Sequence, residues 1–218
     1  YNKIIIENLK KLDSDFSNIK LLINDKIIIN ALKKIIFNDH NLETLLTKTR
    51  KKICNLISKN IKEINYSELE FIIALGEQCF FNEYVYPLTE EENTSINIII
   101  NRCIEGKLSE TNISILSCYF PLYKLLDRIP LLKSFTSSHQ SFNELKKLQI
   151  IEPLKEIQLS QKIKSLGTIN NNISRKVKSQ YEENPYPRWR YGFHSKSQKI
   201  SIEQAINHEI NPNYISQT

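Results

Sequence analysis

The spacing of apolar residues constrains this chain more than any other feature of its sequence. Over 26–37 and 41–58, isoleucine and leucine recur every three or four residues, which is the period of a helix with one buried face. Isoleucine-rich runs at 4–6, 27–29 and 98–100 have the composition of strands, but each belongs to a longer helical pattern with no hairpin turn beside it. The sequence therefore predicts an all-α fold, an irregular multi-helix bundle of about eight or nine helices.

Start and stop signals divide this helical pattern. In a capping box, a hydroxyl and a carboxylate three residues later each bond a free backbone N–H of the first helical turn. Three stretches have this form: Ser67 to Glu70, Thr89 to Glu92 and Ser141 to Glu144. Gly106 follows the apolar run 98–105, where the end of a helix favours a residue that tolerates positive φ. We expect a helix to begin at each box and another to end near Gly106.

The chain contains few glycines and no methionine, and each of these facts bears on what it can be. The chain has 218 residues, 40% of them hydrophobic, which is enough apolar material for a folded core. Its four glycines lie too far apart for a G-x-G-x-x-G turn or a phosphate-binding loop, so the sequence predicts no nucleotide-phosphate cradle of those types. Methionine is absent, although translation starts with it. We therefore interpret the sequence as a piece of a longer protein.

Charge divides the chain into three parts. Residues 1–64 carry 13 Lys/Arg against 7 Asp/Glu, residues 65–160 carry 8 against 13, and residues 161–218 carry 9 against 4. The middle is acidic and the flanks are basic. Since opposite charges attract over about 8 Å at cellular ionic strength, we expect these parts to pack together or to face different partners.

The four cysteines and four histidines do not form a recognisable metal site. The cysteines are too widely spaced for C-x-x-C pairs and lie in apolar helical surroundings, which predicts buried, reduced thiols: Cys54, Cys79, Cys103 and Cys118. The histidines have no partner at ligand spacing and are interpreted as solvated or capping residues: His40, His139, His194 and His208. Reduced thiols, the lack of a membrane-spanning run and the lack of a signal-peptide pattern together predict a cytoplasmic location.

The sequence changes character near residue 166. After a polar break, residues 173–181 can form a basic helix, and residues 181–191 then combine three tyrosines, two arginines and the only tryptophan with two prolines. Because proline removes backbone donors and restrains the residue before it, we expect this stretch to be an extended strap. The predicted domains are a helical domain at 1–165, the basic helix and strap at 166–191, and a linker at 192–218.

The strap resembles a known signature. The string Gln180-Tyr181-Glu182-Glu183-Asn184-Pro185-Tyr186-Pro187-Arg188-Trp189 is similar to one found in a family of bacterial class I S-adenosylmethionine-dependent methyltransferases, often associated with tetratricopeptide repeats. A second stretch, Gln78-Cys79-Phe80-Phe81-Asn82-Glu83-Tyr84-Val85-Tyr86, resembles an element that precedes the signature in that family. Looser similarity covers residues 25–189, including Leu42-Glu43-x-Leu45-Leu46-Thr47-x-x-Arg50.

This resemblance implies a place within a larger enzyme. In such proteins the S-adenosylmethionine-binding domain follows the signature and opens with a strand and a glycine-rich turn. The chain would then be the non-catalytic helical region, inactive alone, whose partner is its own C-terminal catalytic domain. By analogy with related methyltransferases, we expect four residues to cover the cofactor or substrate, their rings stacking on adenine or on the sulfonium cation: Tyr181, Tyr186, Arg188 and Trp189. The resemblance does not identify the methyl acceptor, and it assigns no role to 78–86, which we interpret as a helix end closed by Pro87.

Two other classes of function remain open from the sequence. The basic flanks could engage the phosphates of a single-stranded nucleic acid while the strap aromatics stack on bases, although the acidic middle argues against a continuous basic groove. The basic residues concerned are Lys48, Arg50, Lys51, Lys52, Arg175, Lys176, Lys178, Arg188 and Arg190. A helical module that binds another protein also fits, because it makes few demands on sequence.

Overall fold

The computed structural model describes residues 23–37, 39–61, 63–163 and 171–183, and every regular element among them is helical. The α-helices are α1 (Lys26–Leu32), α2 (His40–Ser58), α3 (Tyr66–Phe81), α4 (Glu90–Ile104), α5 (Glu110–Ser117), α6 (Gln140–Lys146), α7 (Glu152–Ser160) and α8 (Asn172–Glu183). Two short 3₁₀ turns, Leu122–Leu125 and Pro130–Leu132, follow α5, and a π-helical stretch, Lys147–Ile151, joins α6 to α7. The predicted all-α fold is confirmed for these residues.

Helix α3 forms the centre of the bundle. Thirteen of its 16 residues are buried, because its sequence is apolar around most of its circumference rather than along one stripe. Helices α1, α5 and α6 pack against it, and α2 packs against α4. The amphipathic helices α2 and α4 each bury one face, as their periodicity predicts, and each of the buried faces also carries one charged residue, Arg50 in α2 and Glu92 in α4.

One of the three predicted capping boxes is present. Thr89 begins α4: its hydroxyl accepts from the backbone N–H of Glu92, and the Glu92 carboxylate accepts from the backbone N–H of Thr89. The predicted end of the same helix is also confirmed, since α4 ends at Ile104 and Gly106 adopts a φ of +83°.

The other two predicted boxes are wrong, because each helix is capped by a residue two positions before the predicted serine. Helix α3 is capped by Asn65, whose side chain accepts from Glu68 N while Glu68 accepts from Asn65 N, so Ser67 already lies inside the first turn. Helix α6 is capped by His139, whose Nδ1 accepts from the N–H of Phe142, 3.4 Å away. In both cases an asparagine or histidine upstream of the serine reaches the free N–H groups first.

The π-helical stretch directs a buried amide into the core. Gln149 Nε2 donates to the carbonyls of Gly76 and Ser117, at 2.9 and 3.3 Å, and its Oε1 accepts from Leu122 N and from the Tyr84 hydroxyl, at 3.3 and 3.4 Å. Such π turns occur mostly as single turns inside α-helices, as here between α6 and α7. This amide therefore joins four segments of the bundle.

The chain divides into two compact units, Tyr1–Tyr186 and Pro187–Thr218, of which the second lies wholly outside the described residues. The predicted strap beyond Glu183 and the linker lie outside them as well, and the predicted domain boundaries stay predictions.

Candidate functional site

Of the four residues predicted to cover a cofactor, only Tyr181 falls within the described part of the chain. It lies in the last turns of α8 and is 67% exposed. The start of the predicted strap is wrong, because residues 181–183 continue the basic helix instead of extending. The first proline comes only at residue 185, and its effect on the backbone reaches one residue back. Tyr186, Arg188 and Trp189 lie outside the described residues.

Helix α8 presents an exposed apolar stripe. Ile173, Val177 and Tyr181 are four residues apart, so they share one face, and they are 74%, 45% and 67% exposed. The predicted basic helix is confirmed and extends from Asn172 to Glu183.

The 78–86 element forms the end of α3 and the turn after it. In the amide orientation that satisfies both ends, Gln78 Nε2 donates to the carbonyls of Leu32 and Ile35, each at 2.8 Å, and its Oε1 accepts from Phe37 N at 3.3 Å. Its neighbours Cys79, Phe80 and Phe81 are all buried. The element therefore anchors the chain that connects α1 to α2.

A tight left-handed turn, rather than Pro87, ends α3. Glu83 and Tyr84 have φ values of 56° and 59°, which side-chain-bearing residues rarely adopt. The backbone N–H of Tyr84 donates to the carbonyl of Cys79 and to Asn82 Oδ1, at 2.9 and 3.1 Å. The interpretation of this element as a helix end is thus confirmed, but the helix ends at Phe81, six residues before the proline.

Arg50 is buried at the centre of the bundle, 2% exposed, and meets the same element. Its Nη2 donates to the carbonyl of Pro87 at 2.7 Å and pairs with Glu92 Oε1 at 3.2 Å. The guanidinium carbon lies 4.3 Å from the ring centroid of Tyr119 and 5.8 Å from that of Tyr86. The Tyr119 hydroxyl donates to the same Glu92 oxygen at 2.9 Å. Arg50 therefore belongs to the core and is not available to bind phosphates.

Burial in this core suppresses ionisation of three thiols and two phenols. Burial raises the pKa of Cys54 to about 12 and that of Cys103 to about 11, and it also raises the pKa values of Cys118, Tyr86 and Tyr119. All four cysteines are free and buried, as predicted. A protonated thiol is a poor nucleophile, so this cluster has the character of a packed core rather than a reactive centre.

A second polar cluster lies nearer the surface, where α1, α3 and α6 meet. The Ser141 hydroxyl donates to Glu70 Oε2 at 3.0 Å, and Lys33 Nζ lies 3.4 Å from the same oxygen and 3.1 Å from Ser141 Oγ. Glu70 Oε1 lies 3.3 Å from His139 Nε2, and Tyr66 stacks on the imidazole with ring centroids 4.8 Å apart. Sequence reasoning missed this cluster because its members are far apart along the chain.

Metal binding finds no support in the described residues. No three His, Cys, Asp or Glu side chains there are placed to hold a metal ion. His139 caps α6, as the sequence interpretation allowed, and His40 is exposed at the start of α2. His194 and His208 lie outside the described residues.

Comparison of the chain with protein-family models, curated proteins and solved structures found no significant match. Among the described residues, no helix is both long enough and apolar enough to cross a membrane.

Proposed function

We propose that this chain is the helical, non-catalytic region of a cytoplasmic S-adenosylmethionine-dependent methyltransferase. The observation that carries the proposal is the contact between the two stretches that give the resemblance within the helical region. Arg50 belongs to the 42–50 stretch, and it donates to the carbonyl of Pro87, the residue that follows the 78–86 stretch. It also lies beside the ring of Tyr86, the last residue of that stretch. Residues that hold one another in a core support a site rather than carry out its chemistry, which fits a non-catalytic region.

The strap is then the part of the chain that meets the cofactor or substrate. Tyr181 supports this role, since its ring is exposed near the end of a helix whose last four residues are the first four of the signature. Tyr186, Arg188 and Trp189 complete the proposed covering set, and the partner is the chain's own catalytic domain. The rings would stack on the adenine or attract the sulfonium cation, which favours an aromatic face.

The test is to express the reading frame that continues past Thr218 and to compare it with residues 1–218. We expect the longer protein to bind S-adenosylmethionine in calorimetry and the shorter one to transfer no methyl group from the tritiated cofactor. In the longer protein, Trp189→Ala should weaken cofactor or substrate binding, whereas Tyr214→Ala, in the predicted linker, should not. A reading frame that encodes no cofactor-binding domain would contradict the proposal.

A protein-interaction module is the second candidate, and the apolar stripe on α8 favours it. Exposed apolar residues in a row on one helix face are a usual feature of helix-in-groove recognition. Affinity purification of the full-length protein separates the two readings. A stoichiometric partner lost with Val177→Asp, together with no affinity for S-adenosylmethionine, would favour the module.

A further inference from the structure

A cavity of about 380 Å³ opens beside the Ser141, Glu70 and Lys33 cluster, between α1, the start of α3 and the start of α6. Ile29 and Tyr66 supply its apolar walls. Ligand pockets range from about 300 to 1,000 Å³, so this one has room for a compact ligand of mononucleotide size and not for a dinucleotide. Its lining combines one aromatic ring with several polar groups that can bond a ligand.

The floor of the cavity is a carboxylate held in place. Glu70 Oε2 accepts from Ser141 and pairs with Lys33, so two groups fix the orientation of the side chain, and Oε1 lies 3.3 Å from His139 Nε2 without a hydrogen bond between them. A carboxylate offers about four acceptor positions. Ser141 and Lys33 both bond Oε2, and since the Glu70 side chain is 17% exposed and lines the cavity, Oε1 is available to a ligand hydroxyl. Fixed carboxylates accept the hydroxyls of ribose in nucleotide sites of other folds.

The aromatic wall is preorganised as well. His139 stacks on one face of Tyr66 with an interplanar angle of 29°, and Tyr66 is nevertheless 70% exposed. One face of the phenol is therefore supported from behind while the other is open to a planar ligand. Stacking of a base on such a ring strengthens binding by roughly 5- to 150-fold.

The rim adds a cation and an amide from α1. Lys26 and Asn30 are exposed and both line the cavity. Glu70 disfavours a phosphate at the floor and Lys33 balances its charge, so an anionic group is best placed at Lys26. The Asn30 amide offers a donor and an acceptor, the pair that the edge of a base requires.

We propose that this cavity binds a nucleoside monophosphate. The base stacks on Tyr66, a ribose hydroxyl donates to Glu70, and the phosphate lies at Lys26. This site is separate from the strap and goes beyond the proposed methyltransferase role, so either proposal can fail without the other.

The test is calorimetry of residues 1–218 with AMP at low salt, alongside adenosine and 2′,3′-dideoxyadenosine. We expect AMP to bind most tightly, adenosine less tightly because it lacks the phosphate, and the dideoxy compound least because it cannot donate to Glu70. Tyr66→Ala should weaken AMP binding by about tenfold. Lys26→Ala should lower AMP affinity to that of adenosine and abolish its salt dependence.

Lys124→Ala, an exposed lysine that lines no part of the cavity, is the matched control and should bind AMP as the wild type does. Because Lys26 is exposed, Lys26→Ala reports on AMP binding even if Tyr66→Ala disturbs the fold. Absence of AMP binding, equal affinity for AMP and the dideoxy nucleoside, or unchanged affinity in Lys26→Ala would each overturn the proposal. Much tighter binding of a 5′-phosphorylated oligonucleotide than of AMP would also overturn it, because the ligand would then be a nucleic acid.

Discussion

Arg50 and Glu92 form an ion pair inside the helical core, with Nη2 and Oε1 3.2 Å apart and side chains 2% and 0% exposed. The same carboxylate closes the N-terminus of α4 by accepting from the backbone N–H of Thr89 at 3.0 Å. One side chain thus caps a helix and neutralises a buried guanidinium. Because both charges are desolvated, removing either partner costs more free energy than the intact pair contributes.

Replacing Glu92 by glutamine should therefore destabilise the domain severely. The amide retains the shape of the cap but leaves the charge of Arg50 buried and uncompensated, which costs about 3–5 kcal/mol of unfolding free energy. Urea denaturation followed by circular dichroism measures the change. The double variant Arg50→Met/Glu92→Gln should be more stable than the sum of the two single changes predicts, since it leaves no unpaired charge.

The neighbouring glutamate provides the control. Glu91 pairs with Lys51 at 2.8 Å on the surface, where more than half of its side chain is exposed. Glu91→Gln should leave the urea midpoint within measurement error, because surface ion pairs contribute little. Equal losses from the two substitutions would mean that the buried pair has no special role.

The caps show how far local sequence can predict this fold. The Thr89 box was predicted because all of its information lies within four residues. The start of α3 was misplaced because two overlapping patterns compete, and sequence alone does not say whether Asn65 or Ser67 turns out of the helix. In the structure the side chain of Asn65 caps the helix, and Tyr66, the residue after it, is the first helical residue.

This competition gives a direct test in α3. Asn65→Ala should lower the unfolding free energy by about 1 kcal/mol, since it removes the acceptor for Glu68 N. Ser67→Ala should change it little or raise it slightly, because alanine is the better helix former inside a first turn. Chemical denaturation of both variants decides the point, and a larger loss from Ser67→Ala would restore the cap that the sequence suggested.

The polar cluster shows why sequence reasoning found less of the site than of the fold. Ser141 and Glu70 are separated by 71 positions, and Lys33 and Ser141 by 108, so no local pattern connects them. For Arg50 the sequence misled in the other direction, because it groups this residue with basic side chains that could bind phosphates, whereas the side chain is buried. Its partner Glu92 lies 42 positions away and only the packing of α2 against α4 brings them together.

The buried thiols predict a loss of stability at alkaline pH. Burial raises the pKa of Cys54 from 9.0 to about 12 and that of Cys103 from 9.0 to about 11, so the folded chain retains protons that the unfolded chain releases. Their contribution is complete below pH 9 and is lost progressively as the pH rises toward 11 and 12. Urea midpoints measured between pH 8 and pH 10 should fall, and the fall should be shallower in Cys54→Ala/Cys103→Ala. A midpoint that rises over this range would contradict the assignment.

The same burial predicts that the thiols of the folded protein do not react with thiol reagents. A disulfide reagent such as Ellman's should modify none of the four cysteines in the folded protein at neutral pH and all four after denaturation, because each is buried and reduced. Rapid reaction of a native thiol would show that its helix opens readily.

Gly76 allows the close approach of α3 and α5. A Cβ added there would lie 2.0 Å from Ser117 Oγ, which is buried and bonded to the carbonyl of Ser114. Gly76→Ala should therefore cost about 1–3 kcal/mol in spite of the better helix propensity of alanine. The double variant Gly76→Ala/Ser117→Gly should recover part of that loss by removing the opposing side chain.

Gly106→Ala is the control, because nothing lies within 4 Å of the new Cβ. It should cost about 1 kcal/mol through its positive φ alone and should gain nothing from Ser117→Gly. Thermal denaturation of the set separates overpacking from backbone strain, and equal effects of Ser117→Gly in both backgrounds would rule out the steric contact as the cause.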